Sequence, residues 1–394
     1  MRIAIKAAQI APGGGLTHLN KIIEWFGKIA PEIEFLLICK KGQENLFISP
    51  PPNFIYKFYR TPGLSLPAQI WWERRILPGI LERANADLLF EPGNRGTLSA
   101  PCPKVSLIHN IAPFDDEYLR HETPYQKLRQ RILRRATLES MLASDGIIFL
   151  SEFSRRLISG LADFSGKKST VVYHGRFESR IVDDGGKVLS TYGISKPYLL
   201  NVSHIWHYKK IFEMALAYSL AHERKPNLPN LVVAGNNYSP TYYNKIRKLV
   251  EDRKLAGCIR LLGTVPEDVL PVLYRGCQAF LFPSVIEACP NSLIDAFSNG
   301  CAIACSNRGV MPEIAAGAAL YFDPDNIEDF ASKIISIVED AELRSFLRSN
   351  ALERASFFSW EKTARQTLDF FYEVLGNRPE APATKHSERE LVEA

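Results

Sequence analysis

The sequence predicts an α/β protein made of two tandem Rossmann-like doubly wound domains facing each other across a cleft. Three observations carry this. Short β-rich runs alternate with helical patterns, and the alternation occurs twice along the chain, which argues for parallel sheets built from βαβ units. A polar, glycine-bearing stretch at 181–196 separates the two series and reads as a linker. The chain has 394 residues, 46% hydrophobic and 23% charged, enough for two or three domains with ordinary globular cores.

In the first half, RIAIKAA, EFLLIC, ADLLFE, KVSLIH, DGIIFL and STVVY read as strands. LTHLNKIIEWF and QKLRQRILRRATLESML lie between them as amphipathic helices. The opening MRIAIKAAQIA carries Lys6 inside an apolar run and passes straight into a glycine turn, so it reads as a first strand and not a signal peptide. YLLNVS, NLVVAG, IRLL, QAFLFP, CAIACS and ALYF continue the strand series in the second half. Beyond Pro324 the pattern is helical to about Leu375, and the polar tail 377–394 is expected to be disordered. The longest apolar runs, such as GIIFL and YLLNV, are far too short to span a bilayer, and a cytoplasmic protein is expected.

The seven cysteines are odd in number and scattered, without zinc or redox spacing. Cys301 and Cys305, four apart on a strand, would stand roughly 13 Å from each other. All seven are expected to be reduced and structural. The net charge is +5. Five cations, Lys127, Arg129, Arg131, Arg134 and Arg135, crowd one helix, where Tyr125, Leu128, Ile132 and Ala136 recur at helical spacing. Helix 125–138 thus has a basic face, solvated or meeting anionic lipid headgroups or a phosphorylated acceptor at the inner face of a membrane. No base-stacking aromatics are interleaved with its charges, which argues against nucleic acid.

The stretch SVIEACPNSLID places Glu287 and Asp295 on either side of a Cys-Pro-Asn-Ser turn, just after the apolar strand QAFLFPS. Pro290 suits the first turn of a helix, where a missing N–H costs nothing, and Gly300 closes that helix. Glu287 then sits on a loop at a strand's carboxyl end, and Asp295 further along the helix. The free N–H groups of Asn291, Ser292 and Leu293 mark a helix N-terminus, a ready anion site. A phosphate there, with a carboxylate on each side for hydroxyls, suggests a phosphorylated sugar. On spacing alone, two ordinary loop and helix acids read equally well.

The run FLFPSVIEACPNSLIDAFSNGCAIACSNRGVMPEIAAGAALYFDP resembles the signature of retaining GT-B-fold glycosyltransferases of the glycogen-synthase and sucrose-synthase type (group 1, family 4). That signature is Glu, seven residues, Glu, then Gly-x-Pro, Pro-Glu and a closing Asp-Pro. Gly300-Cys301-Ala302 departs from the Gly-x-Pro run. GGGLTHL, VSLIHNIAPF, IIFLSEFSRR, VVYHG and HYKKIFEMALAY extend the resemblance to residues 1–375.

The resemblance implies that Glu287 contacts the donor sugar hydroxyls. It implies that Asp295, one methylene shorter than the family's Glu, grips the nucleotide ribose. The backbone around Asn291 and Ser292 would meet the diphosphate. Lys209 would neutralise that diphosphate, with Lys210, His204 or His207 standing in for an arginine that the family often adds. Gly14 and Gly15 would border the donor phosphate and the acceptor. His109, in a His-Asn where the family has His-Asp, would touch the sugar near the reacting carbon. Arg155 and Glu313 are weaker candidates, for acceptor contact and helix capping.

The implied division is an acceptor-binding domain at 1–180, the linker 181–196 and a nucleotide-sugar domain at 197–357. A helix at 358–376 would pack back on the first domain. The implied reaction is transfer of a hexose from a UDP- or GDP-sugar to a hydroxyl of a glycan or lipid-linked acceptor with retention of configuration, in the synthesis of cell-surface polysaccharide or glycoconjugate. Neither a cofactor nor a metal is expected: Asp323-Pro-Asp325 has a metal-like spacing but falls on the family's Asp-Pro turn. Two other classes fit the same fold: a sugar-nucleotide epimerase, which would need an acid–base pair near the sugar ring, and a non-catalytic sugar-nucleotide or glycan-binding protein.

Overall fold

The computed structural model describes residues 1–61, 66–120, 122–177 and 185–376; the expected disordered tail, and the linker residues 181–184, lie outside them. Two wholly parallel sheets organise the chain. The first has seven strands: β1 (Arg2–Lys6), β2 (Glu34–Lys40), β3 (Phe54–Tyr59), β4 (Leu88–Glu91), β5 (Lys104–Ile108), β6 (Gly146–Phe149) and β7 (Lys168–Val171). They lie in the order β3-β2-β1-β4-β5-β6-β7. The second has six: β8 (Tyr198–Val202), β9 (Asn230–Ala234), β10 (Ile259–Gly263), β11 (Ala279–Phe282), β12 (Ile303–Ser306) and β13 (Leu320–Phe322). Their order is β10-β9-β8-β11-β12-β13.

The helices of the first half are α1 (Gly14–Ile29), α2 (Leu66–Arg75), α3 (Leu77–Arg83), α4 (Asp116–Arg120), α5 (Pro124–Leu142) and α6 (Glu152–Ser159). Then follow α7 (Gly185–Thr191), α8 (Ile211–Arg224), α9 (Pro240–Asp252), α10 (Leu270–Gly276) and α11 (Asn291–Ser298). The last four are α12 (Met311–Ala315), α13 (Ile327–Glu339), α14 (Ala341–Ala355) and α15 (Trp360–Leu375).

Strands such as β1, β5 and β11 are buried almost throughout, as parallel strands covered on both faces must be; hence their near-continuous apolar runs. The edge strands are less covered: only the first residue of β3 and of β10 is fully buried, and none of β7. The sequence reading finds β7 and β10 but not β3.

Two further expectations change. The linker holds a helix, α7, because Leu189 is buried and α7 packs against α10. Tyr125, Leu128 and Ile132 of α5 do not form a core-facing stripe: they are 73%, 58% and 49% exposed. The face of α5 that is buried carries Gln130, Thr137, Ser140 and Met141. The Gly96 N–H donates to Ser140 Oγ of this face at 3.1 Å, and Ser144, two residues past the helix, shares a bond with Ser106 of β5 at 2.7 Å. Burying polar groups requires such partners, and here that requirement turns the helix.

The last helix crosses between the two sheets. Trp360 begins α15 beside His174, and Phe371 near its end packs on Phe26 of α1 and Phe90 of β4. Among the described residues no helix is long and apolar enough to cross a membrane.

Candidate active site

Both strand orders reverse once, between β1 and β4 in the first sheet and between β8 and β11 in the second. Ligands of open α/β sheets bind outside the carboxyl ends of strands at such switch points. The segments that leave these strand ends supply the site: Gly13–Gly15 after β1, Asn94 after β4, Lys209 after β8 and Glu287 after β11.

Lys209 closes the single helical turn His207–Lys209, and its Nζ donates to Glu287 Oε1. The two side chains are 11% and 15% exposed. Ser284 Oγ donates to the same carboxylate oxygen at 2.7 Å. Burial opposes the lysine's charge, but the Glu287 carboxylate outweighs it and raises the Lys209 pKa. A held cation and a carboxylate therefore stand side by side at the second sheet's switch point.

Lys210 goes elsewhere. Its backbone is left-handed, with φ 53°, and its ammonium pairs with Asp325 at 2.6 Å and Glu213 at 3.7 Å. The left-handed turn at the start of α8 thus sends the two adjacent lysines to different carboxylates, and Lys210 lines a second cavity with Tyr118, Tyr208 and Ile286. His204 cannot replace the missing arginine either: burial, then Lys209, lower its pKa, so it carries no charge near neutral pH. His207 stacks on Tyr118 at 5.0 Å, with its Nε2 3.8 Å from Glu122.

The α11 helix begins at Asn291, with Pro290 as its N-cap and not in its first turn. Leu293 is a core residue, and its N–H donates to the Pro290 carbonyl at 3.1 Å. It is therefore not one of the free donors; the N–H groups of Asn291 and Ser292 are the two with no partner among the described residues. Opposite stands the start of α1. Gly13 caps it with φ 132°, a conformation open to glycine, and Gly14 and Gly15 are its first residues. A Cβ on Gly14 would lie 3.7 Å from Asn291 Nδ2, and one on Gly15 would lie 3.7 Å from the His109 ring. Two helix N-termini, each with positive partial charge, thus meet across the crevice.

His109 follows β5, and the turn behind it is held by Asn94, whose Oδ1 accepts from the His109 N–H at 3.2 Å and the Asn110 N–H at 2.8 Å. Burial, with His174 nearby, pushes the His109 pKa down to about 3. A neutral imidazole presents hydrogen-bonding nitrogens without charge, which suits a sugar hydroxyl. His18, His109 and His174 cluster with ring centroids 4.8–5.8 Å apart.

Asp295 lies one turn into α11. Its carboxylate accepts from the Phe177 backbone N–H, yet its Oδ1 is shut off from solvent without a partner. Burial pushes its pKa up to about 7. Because this pKa is raised on folding from 3.8, the unfolded chain releases the proton first, and the folded state is penalised progressively as pH climbs from about 4 past 7. Asp295→Asn is therefore expected to stabilise the ligand-free protein by on the order of 1–3 kcal/mol at pH 8, a gain that shrinks toward zero at pH 4. Thermal melts across that range check it; a gain that does not vary with pH would show that the carboxyl's charge is not the cause.

Glu313 caps a helix, but one on the other sheet's side: its carboxylate accepts from the N–H groups of Glu152 and Phe153 at the start of α6, at 2.8 and 2.7 Å, and from Tyr173 Oη at 2.8 Å. Arg155 points to Glu152 at 2.6 Å, with its side chain 45% exposed. In the Asp-Pro turn, Asp323 meets Arg308, and Asp325 meets Arg308 and Lys210.

Sequence reasoning missed Ser284, Asn94 and His174, all ordinary loop residues until folded. It also missed a buried ion network: Lys6 contacts Glu91 at 2.7 Å and Glu73 at 3.1 Å, and Arg95 contacts Glu73 at 2.6 Å. The one available signal was Lys6 inside an apolar strand. The network floors a groove of about 870 Å³ that runs from Ile10–Pro12 and Asn94 to Leu128, Ile132 and Leu133 of α5.

Two parallel Rossmann-like sheets whose switch points face one crevice are the architecture of the GT-B fold. Residues 193–354 match the family described as Glycosyl transferases group 1. It is 28% identical over 273 residues, 68% of this chain and 69% of the relative, to the O-antigen chain mannosyltransferase B of Escherichia coli. It is 26% identical over 193 residues, 49% of this chain, to the serotype-specific mannosyltransferase WbdA of E. coli, spanning 24% of that protein's length. Among solved structures, sucrose-phosphate synthase from Thermosynechococcus elongatus superposes with a TM-score of 0.75 at 15% identity, covering 95% of this chain and 99% of that one. Anabaena HepE in complex with UDP-glucose does so with a TM-score of 0.70 at 16% identity, covering 95% and 100%. At these identities the structural likeness shows the fold.

Proposed function

We propose that this protein is a retaining, metal-independent hexosyltransferase that moves mannose from a nucleoside-diphosphate sugar, UDP- or GDP-linked, to a hydroxyl of a glycan or lipid-linked acceptor in cell-surface polysaccharide synthesis. The observation that carries it is the Lys209–Glu287 pair at a crevice where the starts of α1 and α11 also meet. Lys209 and the two helix starts would receive the diphosphate's charge as the glycosidic bond breaks, stabilising the leaving group electrostatically. Glu287 and the neutral His109 would hold the sugar hydroxyls, and Asp295 the ribose. The mannosyl assignment is supported by the names of the two E. coli relatives.

The acceptor would lie in the groove beside α5, with its reacting sugar at the Asn94 end. The exposed Tyr125, Leu128 and Ile132 among the cations of α5 would rest on an anionic membrane surface, placing a cytoplasmic enzyme at the inner face.

The test incubates the protein with GDP- and UDP-linked mannose and glucose, with and without glycan and lipid-linked acceptors, and measures nucleoside diphosphate release and product anomericity. Acceptor-dependent release that survives EDTA, with a retained anomer, is expected, together with flotation on phosphatidylglycerol vesicles. An isomerised donor without acceptor would make the protein an epimerase. Transfer abolished by EDTA and restored by magnesium or manganese would overturn metal independence.

A further inference from the structure

His174 stands in the segment leaving β7, and two bonds fasten that segment to the turn before α11. Its backbone N–H donates to Cys289 Sγ at 3.4 Å, and its Nδ1 lies 2.6 Å from Asn291 Oδ1. The residue is 4% exposed and is enclosed by the His18 ring at 5.1 Å, Trp360 at 5.5 Å and His109 at 5.8 Å. Burial pushes its pKa down to about 4 against the opposing bond to Asn291, so the ring is neutral near pH 7. A neutral imidazole carries one proton, and a carbonyl oxygen can only accept. The proton therefore sits on Nδ1, leaving Nε2 bare and without a partner among the described residues. With its oxygen committed to His174, the Asn291 amide must turn its NH₂ the other way, and that nitrogen lies 3.7 Å from where a Gly14 Cβ would be.

We propose that His174 is a positioning residue that locks the Asn291 side chain with its N–H donors aimed into the space between the starts of α1 and α11, where the donor's diphosphate binds. The proposal rests on the reading of the site given above. It requires a donor at the Nδ1 position, and packing alone would not supply it.

The experiment titrates UDP and GDP into the wild-type protein, His174→Ala and His174→Asn, and measures donor KM and kcat for each. His174→Ala is expected to weaken nucleoside diphosphate binding and raise donor KM by about tenfold, the effect of misplacing one hydrogen bond to a charged group, with kcat much less affected. His174→Asn places an amide N–H where Nδ1–H was and is expected to restore most of the affinity. In an Asn291→Ala background, His174→Ala is expected to cost nothing further, because the group it aims is gone. Unchanged binding in His174→Ala, a loss that His174→Asn does not recover, or additive losses in the double variant would each overturn the proposal. A wild-type protein that binds neither nucleotide would instead overturn the donor site itself.

Discussion

Glu287→Gln is expected to lower kcat by about 10²–10³-fold, the scale of removing a group that meets charge or hydroxyls in the transition state, while the protein still folds. Glu287 leaves β11 on a loop, and its carboxylate gathers two donors, Lys209 and Ser284. The amide keeps the shape and its oxygen can still accept from Ser284 and Lys209, so this variant should melt earlier than wild type by less than Glu287→Ala does. Glu287→Ala is a harsher change: it strands the Lys209 ammonium in a site where it is 11% exposed. Removing one partner of a buried pair costs on the order of 3–5 kcal/mol, and this variant should melt earlier as well as turn over slowly. Comparing the two separates chemistry from folding. Near-normal turnover in a folded Glu287→Gln protein would remove Glu287 from the reaction.

Lys209→Met should lower kcat by on the order of 10²-fold and raise donor KM, because a cation disappears where the leaving diphosphate gathers charge. Methionine retains most of the apolar stem and removes the ammonium, which lies 5.2 and 6.0 Å from the centres of the Tyr208 and Phe282 rings, so the loss reports charge and its ring contacts. Lys210 cannot substitute, being held by Asp325 and Glu213. The double variant Lys209→Met/Glu287→Gln should recover stability relative to Lys209→Met, since no lone charge is left, but not activity. Unaltered kinetics at saturating donor in Lys209→Met would place the phosphate site elsewhere in the cleft.

Much of this was legible before folding. Sequence reasoning finds twelve of the thirteen strands among the described residues, most of them readable because strands buried on both faces have no freedom to be polar. The thirteenth, β3, went unread although it is no more exposed than β7 or β10. Glu287, Asp295 and the start of α11 were readable because a proline and an apolar strand punctuate them locally. Nothing in the pair Lys209-Lys210 announces the left-handed turn, φ 53°, that sends the two ammonium groups to different carboxylates.

The amino-acid order by itself determined the two parallel sheets, the loop acid Glu287, the lysine after β8 and the glycine start of α1, since each follows from local periodicity, turn chemistry or strand ends. The tertiary structure alone decided which groups meet. It set Lys209 against Glu287 across 78 residues and His174 against Asn291 across 117. It left the apolar stripe of α5 facing a groove and not the core, and it shut Asp295 Oδ1 away from water. Those outcomes depend on long-range packing and on which buried polar groups find partners, and such terms are settled only when distant segments compete for the same space.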